Sequence, residues 1–327
     1  YRNAIAELKL DLVVLADYAH EQFRSGGDLD HASSAEKYYR DFLQWFDRSE
    51  DARRIRFQLA ALLAEQDRFE EAYAHYAFLA WSSNDEAFAP EAAIAGIRLI
   101  ETMVEQGNGV DAALWQGRAY ADSVRFVEYF PSHEAAPVVL ARAGGRKLAA
   151  GEVEPVDNWV DSLLRGPAAS SGELGRVAFS LRAQSASLRG EHGKAALAYR
   201  EALHLSAPDD ERRHALLLGE AQAYFARGRA SAMADDWGSA RSDFQEAARL
   251  SPETSLRAAA EYDLAAARLA LEQWEEAVRL LERYTVAYPE HELQPEVQRK
   301  LAYAYIQQGS PGVAADRYFD VGRSANQ

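Results

Sequence analysis

Two dipeptides, His133-Glu134 and His291-Glu292, pair a metal-binding ring with a carboxylate, as at the start of a zinc-protease helix. That chemistry needs a second His one turn later, and neither place has one. Both pairs follow a proline, Pro131 or Pro289, so a capping or solvent-facing role is the better reading. Gly193-Lys194 has the end of a phosphate-binding loop, but Leu188 stands where the first Gly belongs and Ala195 where Ser or Thr belongs. Carboxylates pair at Glu70-Glu71, Asp209-Asp210-Glu211, Asp235-Asp236 and Glu275-Glu276. Each set falls at the start or turn of a helical pattern, where acids complement the positive end of the helix dipole. Cys is absent, which removes thiolate sites, disulfides and a Cys nucleophile, and the eight His are scattered. These residues point to no enzyme, with no metal and no cofactor.

The elements carrying them are helical. Of 327 residues, 48% are hydrophobic and 27% charged, the balance of an ordinary folded chain. The net charge of −15 argues against nucleic acid and anionic membranes, which need clustered cations. Residues 1–90 hold 17 acids and 10 bases whereas 171–250 hold 11 of each, so the excess lies toward the ends. No apolar run approaches the roughly 18–20 residues that span a bilayer; the best, around Leu10–Ala16, contains Asp11. The sequence starts at Tyr1 without a signal-like segment and is expected to be a processed or excised piece of a longer protein. Ala, Leu, Glu, Arg and Gln dominate, and short Gly, Ser or Pro punctuation recurs, as at Gly107-Asn108-Gly109 and Ser251-Pro252.

A repeat organises the helices. Ala35, Ala72, Ala119, Ala195, Ala240, Ala277 and Ala314 recur at spacings of 37, 47, 76, 45, 37 and 37, and the 76 leaves room for a degenerate unit near Asp157. Four residues after each come Tyr39, Tyr76, Ser123, Tyr199, Phe244, Leu281 and Tyr318. Seven after come Phe42, Leu79, Phe126, Ala202, Ala247, Tyr284 and Val321. Offsets of 0, 4 and 7 share one helix face, so these residues form its buried stripe. Phe69, Trp237 and Trp274, three residues earlier, place large rings in the turn that opens the helix.

The segment Tyr262–Pro289, with Leu264-Ala265, Trp274, Ala277, Leu281, Tyr284 and Pro289, resembles the tetratricopeptide repeat. So do Leu59-Ala60, Phe69, Ala72 and Tyr76; Gly190, Ala195, Tyr199 and Ala202; Trp237, Ala240, Phe244 and Pro252; and Leu301-Ala302, Tyr305, Gly309 and Ala314. The match is best in 53–82 and 176–321, and divergent in 1–47 and 85–170. The segments 125–134 and 283–292 both end a helix on an aromatic-Pro pair. That ending is similar to the one in bacterial cell-envelope repeat proteins, such as outer-membrane-assembly lipoproteins and Tol–Pal coordinators.

The resemblance implies an all-α, right-handed α-solenoid of about eight TPR-like hairpins, at 1–47, 51–82, 88–131, 134–166, 172–206, 209–252, 254–289 and 294–322, forming one domain. Its first helices would line a groove, giving Arg54, Phe57, Gln184, Phe225, Arg229, Tyr262, Arg299, Tyr303 and Gln307 as partner-binding candidates. In the sixth unit two registers fit, through Gly219 or Gly228, and each aromatic has packing within the solenoid as its competing role. The chain stops after Val313, Tyr318 and Val321 with no polar capping helix, which fits a cut piece or a docking end. The implied function is a scaffold binding a protein or peptide in a bacterial envelope assembly, in the periplasm or cell envelope, the alternative compartment being the cytoplasm. Two alternatives stay open: a structural spacer that contacts partners through its ends or self-associates through its terminal repeats, and an accessory to polysaccharide or peptidoglycan export.

Overall fold

The computed structural model describes residues 2–82, 88–107, 111–166 and 172–316, of which 83% are helical, with no strand among them. Fifteen helices follow in order: α1 (Arg2–Gly26), α2 (Leu29–Phe46), α3 (Ala52–Glu65), α4 (Phe69–Ser82), α5 (Ala89–Gln106), α6 (Ala112–Tyr129), α7 (Ala136–Ala149), α8 (Val153–Arg165), α9 (Gly172–Leu188), α10 (His192–His204), α11 (Arg213–Met233), α12 (Trp237–Leu250), α13 (Thr254–Ala270), α14 (Trp274–Ala287) and α15 (Gln294–Gln307). A last described helical stretch covers 311–316. Contacts divide the chain into two compact units, 1–143 and 144–327. In the first, each helix from α1 to α6 packs on the next; in the second, α8 to α15 do the same, and alternate helices α11, α13 and α15 also touch.

One turn recurs. Gly27, Asp67, Gly151, Gly190, Asp235, Glu272 and Gly309 all have φ between 57° and 77°, and each stands two residues before the hairpin's second helix. At six of these turns the next N–H donates to the carbonyl five residues back: Arg68 to Leu63, Glu152 to Lys147, Glu191 to Ala186, Asp236 to Ser231, Gln273 to Arg268 and Ser310 to Tyr305, all at 2.8–2.9 Å. This closes the first helix with its last carbonyls satisfied and reverses the chain.

The stripe read from the sequence is the core. Ala35, Ala72, Ala195, Ala240, Ala277 and Ala314 are buried, as are the ring partners Tyr39, Tyr76 and Phe244 and the following Phe42, Leu79, Phe126 and Tyr284. Ala119 is only half-buried, and there Trp115 and Ser123 are buried instead. At the degenerate unit, Asp157 ties α8 to α9 through the Ser185 hydroxyl and Arg189 (2.6 Å). Tyr318 and Val321 lie outside the described residues.

Gly219 and Gly228 explain why two registers fit α11. A Cβ at Gly219 would sit 2.5–2.9 Å from the Tyr199 ring of α10, and one at Gly228 would sit 2.8 Å from the Phe244 ring of α12. Both glycines mark close approaches, one to the preceding hairpin and one within its own.

The two His-Glu pairs have one shared structural role. His133 Nδ1 accepts from the Ala135 N–H (3.1 Å) with its ring edge-on to Phe126, and His291 Nδ1 accepts from the Leu293 N–H (3.2 Å) with its ring edge-on to Tyr284. Each therefore caps the start of the next helix against the preceding aromatic.

Candidate partner-binding surface

The nine groove candidates fall in both units, and their surroundings differ. Arg54 and Phe57 belong to α3 in the N-terminal unit. Arg54 donates to Asp17 (3.2 Å), which also accepts from Tyr39 (3.0 Å), and Tyr39 meets the buried His20 (3.1 Å), whose other nitrogen reaches Glu65 (2.9 Å). This network locks α1, α2 and α3 together. Phe57 lies edge-on to Tyr76 at 5.1 Å and is half-buried.

The other seven lie on α9, α11, α13 and α15 of the C-terminal unit. Gln184 is exposed and borders a cleft of about 550 Å³ with Ser187, His192, Gln222 and Ala226, floored by Tyr199 and Gly219. Gln222, Ala226 and Arg229 share one side of α11 by helical spacing. Arg229 is exposed and lies 5.9 Å over the Phe225 ring, which is itself half-buried against Phe244.

Farther along, α13 offers Tyr262 and Asp263. Burial raises the Asp263 carboxyl above its ordinary value, opposed by the charges of Arg229 and Lys300, which face it from α11 and α15. Tyr262 is edge-on to Tyr284 (6.4 Å), and the Lys300 ammonium sits 5.5 Å over its ring. Burial first, then the charges of Glu296 and Asp263, push its hydroxyl up to about 12. On α15, Arg299 pairs with Glu296, Tyr303 is 47% exposed with its ring edge toward Trp274 (6.0 Å), and Gln307 is exposed. Phe225 and Tyr262 thus combine partial packing with a face shared by flanking polar groups.

Sequence reasoning missed Gln222, Asp263 and Lys300. Gln222 was within reach, being seven residues before Arg229. Asp263 and Lys300 acquire their meaning only from the approach of α13 to α15, which no local spacing encodes.

Among the described residues no three His, Asp or Glu side chains converge as a metal site, and no helix is long and apolar enough to cross a membrane. At least one carboxylate of each acidic group caps a helix or pairs with an arginine. Asp236 accepts from the Ser239 N–H (3.1 Å), Glu71 pairs with Arg68 (2.8 Å), and the Glu275-Glu276 pair flanks Arg279. Hydrogen bonds from the Arg212 side chain and N–H hold the Asp210 carboxyl down at about 2.

No protein-family model matches the chain, and no curated protein matches its sequence. Solved structures with similar folds include a MamA protein (15% identity, 58% of this chain and 91% of that one, TM-score 0.38). They also include a tetratricopeptide repeat protein from Parabacteroides merdae (15% identity, 90% and 98%, TM-score 0.37). A third is a Podosopora anserina putative kinesin light chain with nearly identical TPR-like repeats (20% identity, 58% and 96%, TM-score 0.35).

Proposed function

We propose that the chain is a non-enzymatic interaction scaffold whose C-terminal unit binds a peptide or protein partner along α9, α11, α13 and α15, within a bacterial envelope assembly. The observation that carries this reading is the row of adjacent surface groups: the Gln184–Gln222 cleft, then Arg229, Asp263, Tyr262, Lys300 and Tyr303. Aromatic and Arg side chains combine large area with directed hydrogen bonds, the mixture that carries most interface energy. The envelope setting draws its support from the aromatic-Pro joints at 125–134 and 283–292.

The test is site-specific photo-crosslinking in cells, with the reactive side chain placed at Gln222 or at Val286, which lies on α14 and is exposed. Adducts to a second protein from Gln222 and not from Val286 are expected. Adducts from Val286 alone would overturn the reading. Contact through the chain's first helix is a second reading, favoured by one observation: α1 exposes Leu8, Leu10, Val14 and Tyr18. Adducts from Leu8 with none from Gln222 would select it.

A further inference from the structure

We propose that the α4–α6 face of the N-terminal unit is a docking site for an acidic, extended peptide segment of a partner protein, separate from the surface described above. Two guanidinium groups there lie over aromatic rings. Arg118 lies 5.2 Å from the Trp115 ring and 5.4 Å from Tyr73; Arg125 lies 4.4 Å from Trp81 and 5.4 Å from Tyr129. The rings meet edge-on across the two helices, Tyr73 with Trp115 at 5.4 Å and Trp81 with Tyr129 at 6.5 Å. Asp122, the carboxylate between the arginines, turns inward and accepts from the Tyr73 hydroxyl at 2.6 Å. Among the described residues no carboxylate lies within ion-pair distance of Arg118 or Arg125.

A guanidinium lying on a ring has its face covered while its N–H edge remains free for a carboxylate. The chain as a whole carries −15, so its long-range field does not attract anions. Selectivity must come from these two local cations. They are seven residues apart on one helix, a rise of about 10.5 Å. Acidic residues three apart in a polyproline-II segment stand about 9.3 Å apart on one side, a close match. Lipid headgroups and nucleic acid fit less well, because both favour clusters of cations over an isolated pair.

The experiment uses the full chain and fluorescein-labelled 12-residue Pro/Ala peptides in which two Glu are two, three, four or seven apart, with Gln-substituted controls. Binding should be strongest at a spacing of three. It should weaken at least tenfold in Arg118→Gln/Arg125→Gln and in the Gln control peptide, and stay unchanged in Arg279→Gln. Arg125→Lys, which keeps the charge and loses the planar guanidinium, should fall between, and an unchanged thermal midpoint in each variant keeps folding out of the comparison. The proposal is overturned if no peptide binds, if the double variant binds equally well, or if only phosphatidylserine vesicles distinguish it from the parent protein.

Discussion

Arg229 over Phe225 apart, the two units employ the same residue pair, an arginine beside an aromatic ring, to different ends. In the C-terminal unit Arg227 lies 4.9 Å over Tyr224, yet it also forms a two-pronged ion pair with Asp243 (2.8 and 2.5 Å), and Arg200 beside the same ring pairs with Glu220 (3.1 Å). In the N-terminal unit Arg118, Arg125 and Arg56 lie on rings without such a partner among the described residues, and Arg56 (4.3 Å over Phe78) reaches His75 Nδ1 at 3.4 Å. The carboxylate decides the role. Where it is present the guanidinium joins two helices; at Arg118 and Arg125 the guanidinium lies over rings and forms no ion pair among the described residues.

The largest expected effect fixes where packing ends in the C-terminal unit. Leu264→Ala, at a core position, should cost about 2–5 kcal/mol in chemical unfolding, whereas Tyr303→Ala should cost below about 1 kcal/mol and weaken partner binding. Equal losses would place Tyr303 in the core.

The arginine contrast comes next. Arg227→Gln strands Asp243, only 4% exposed, and should cost about 2–3 kcal/mol, below the figure for a fully buried pair because the guanidinium is partly open to water. Arg118→Gln loses the ring contact and the charge that acts on Asp122, about 0.5–1 kcal/mol. If both variants shift the unfolding midpoint alike, the distinction between the units fails.

A smaller, stabilising effect is expected in the hairpin turns. Glu272 and Asp235 hold left-handed backbone where Gly190 and Gly309 stand in other turns, so Glu272→Gly should relieve strain. The expected gain is about 0.5–1 kcal/mol, offset in part by the looser unfolded chain. A lower thermal midpoint for this variant would count against a strained turn.

A further effect is a pH slope. Burial, then the charge of the nearby Arg56, depress His75 to about 4, so the folded state binds fewer protons than the unfolded one between that value and the ordinary 6.5. Stability contributed by this group is full above pH 6.5 and is lost as pH falls toward 4. His75→Gln should flatten stability over that window, and an unchanged slope would mean that His75 is not held neutral.

Much of the fold was legible because a helix pair cannot bury its stripe without spacing its small and large residues regularly. Ala277, Leu281 and Tyr284 declare their side of α14 by offsets of four and seven alone. The divergent stretch was harder to read, since Ser123 fills a buried position by donating to the Ala119 carbonyl of its own helix, and Asp157 is a bridging group whose partners lie at another helix. Candidate surfaces were less legible still. Periodicity separates inside from outside, but whether Arg54 faces solvent or Asp17, or whether Arg118 meets a carboxylate or a ring, depends on a neighbouring helix many residues away. The α4–α6 face escaped notice for a further reason: the resemblance directs attention to first helices, and these arginines sit on a second one.

The paired glycines of α11 have a consequence for how this chain could tolerate insertions. Nine residues separate them, about two and a half turns, so they look out from opposite sides of the helix, toward Tyr199 and Phe244. One residue added between them would swing one notch roughly 100° away from its ring and drive a side chain into that place. Seven added residues would turn it back to within about 20° of its present direction, though displaced along the axis by two turns. Length changes should therefore accumulate in the joints between hairpins, while the stretch from Gly219 to Gly228 keeps its count.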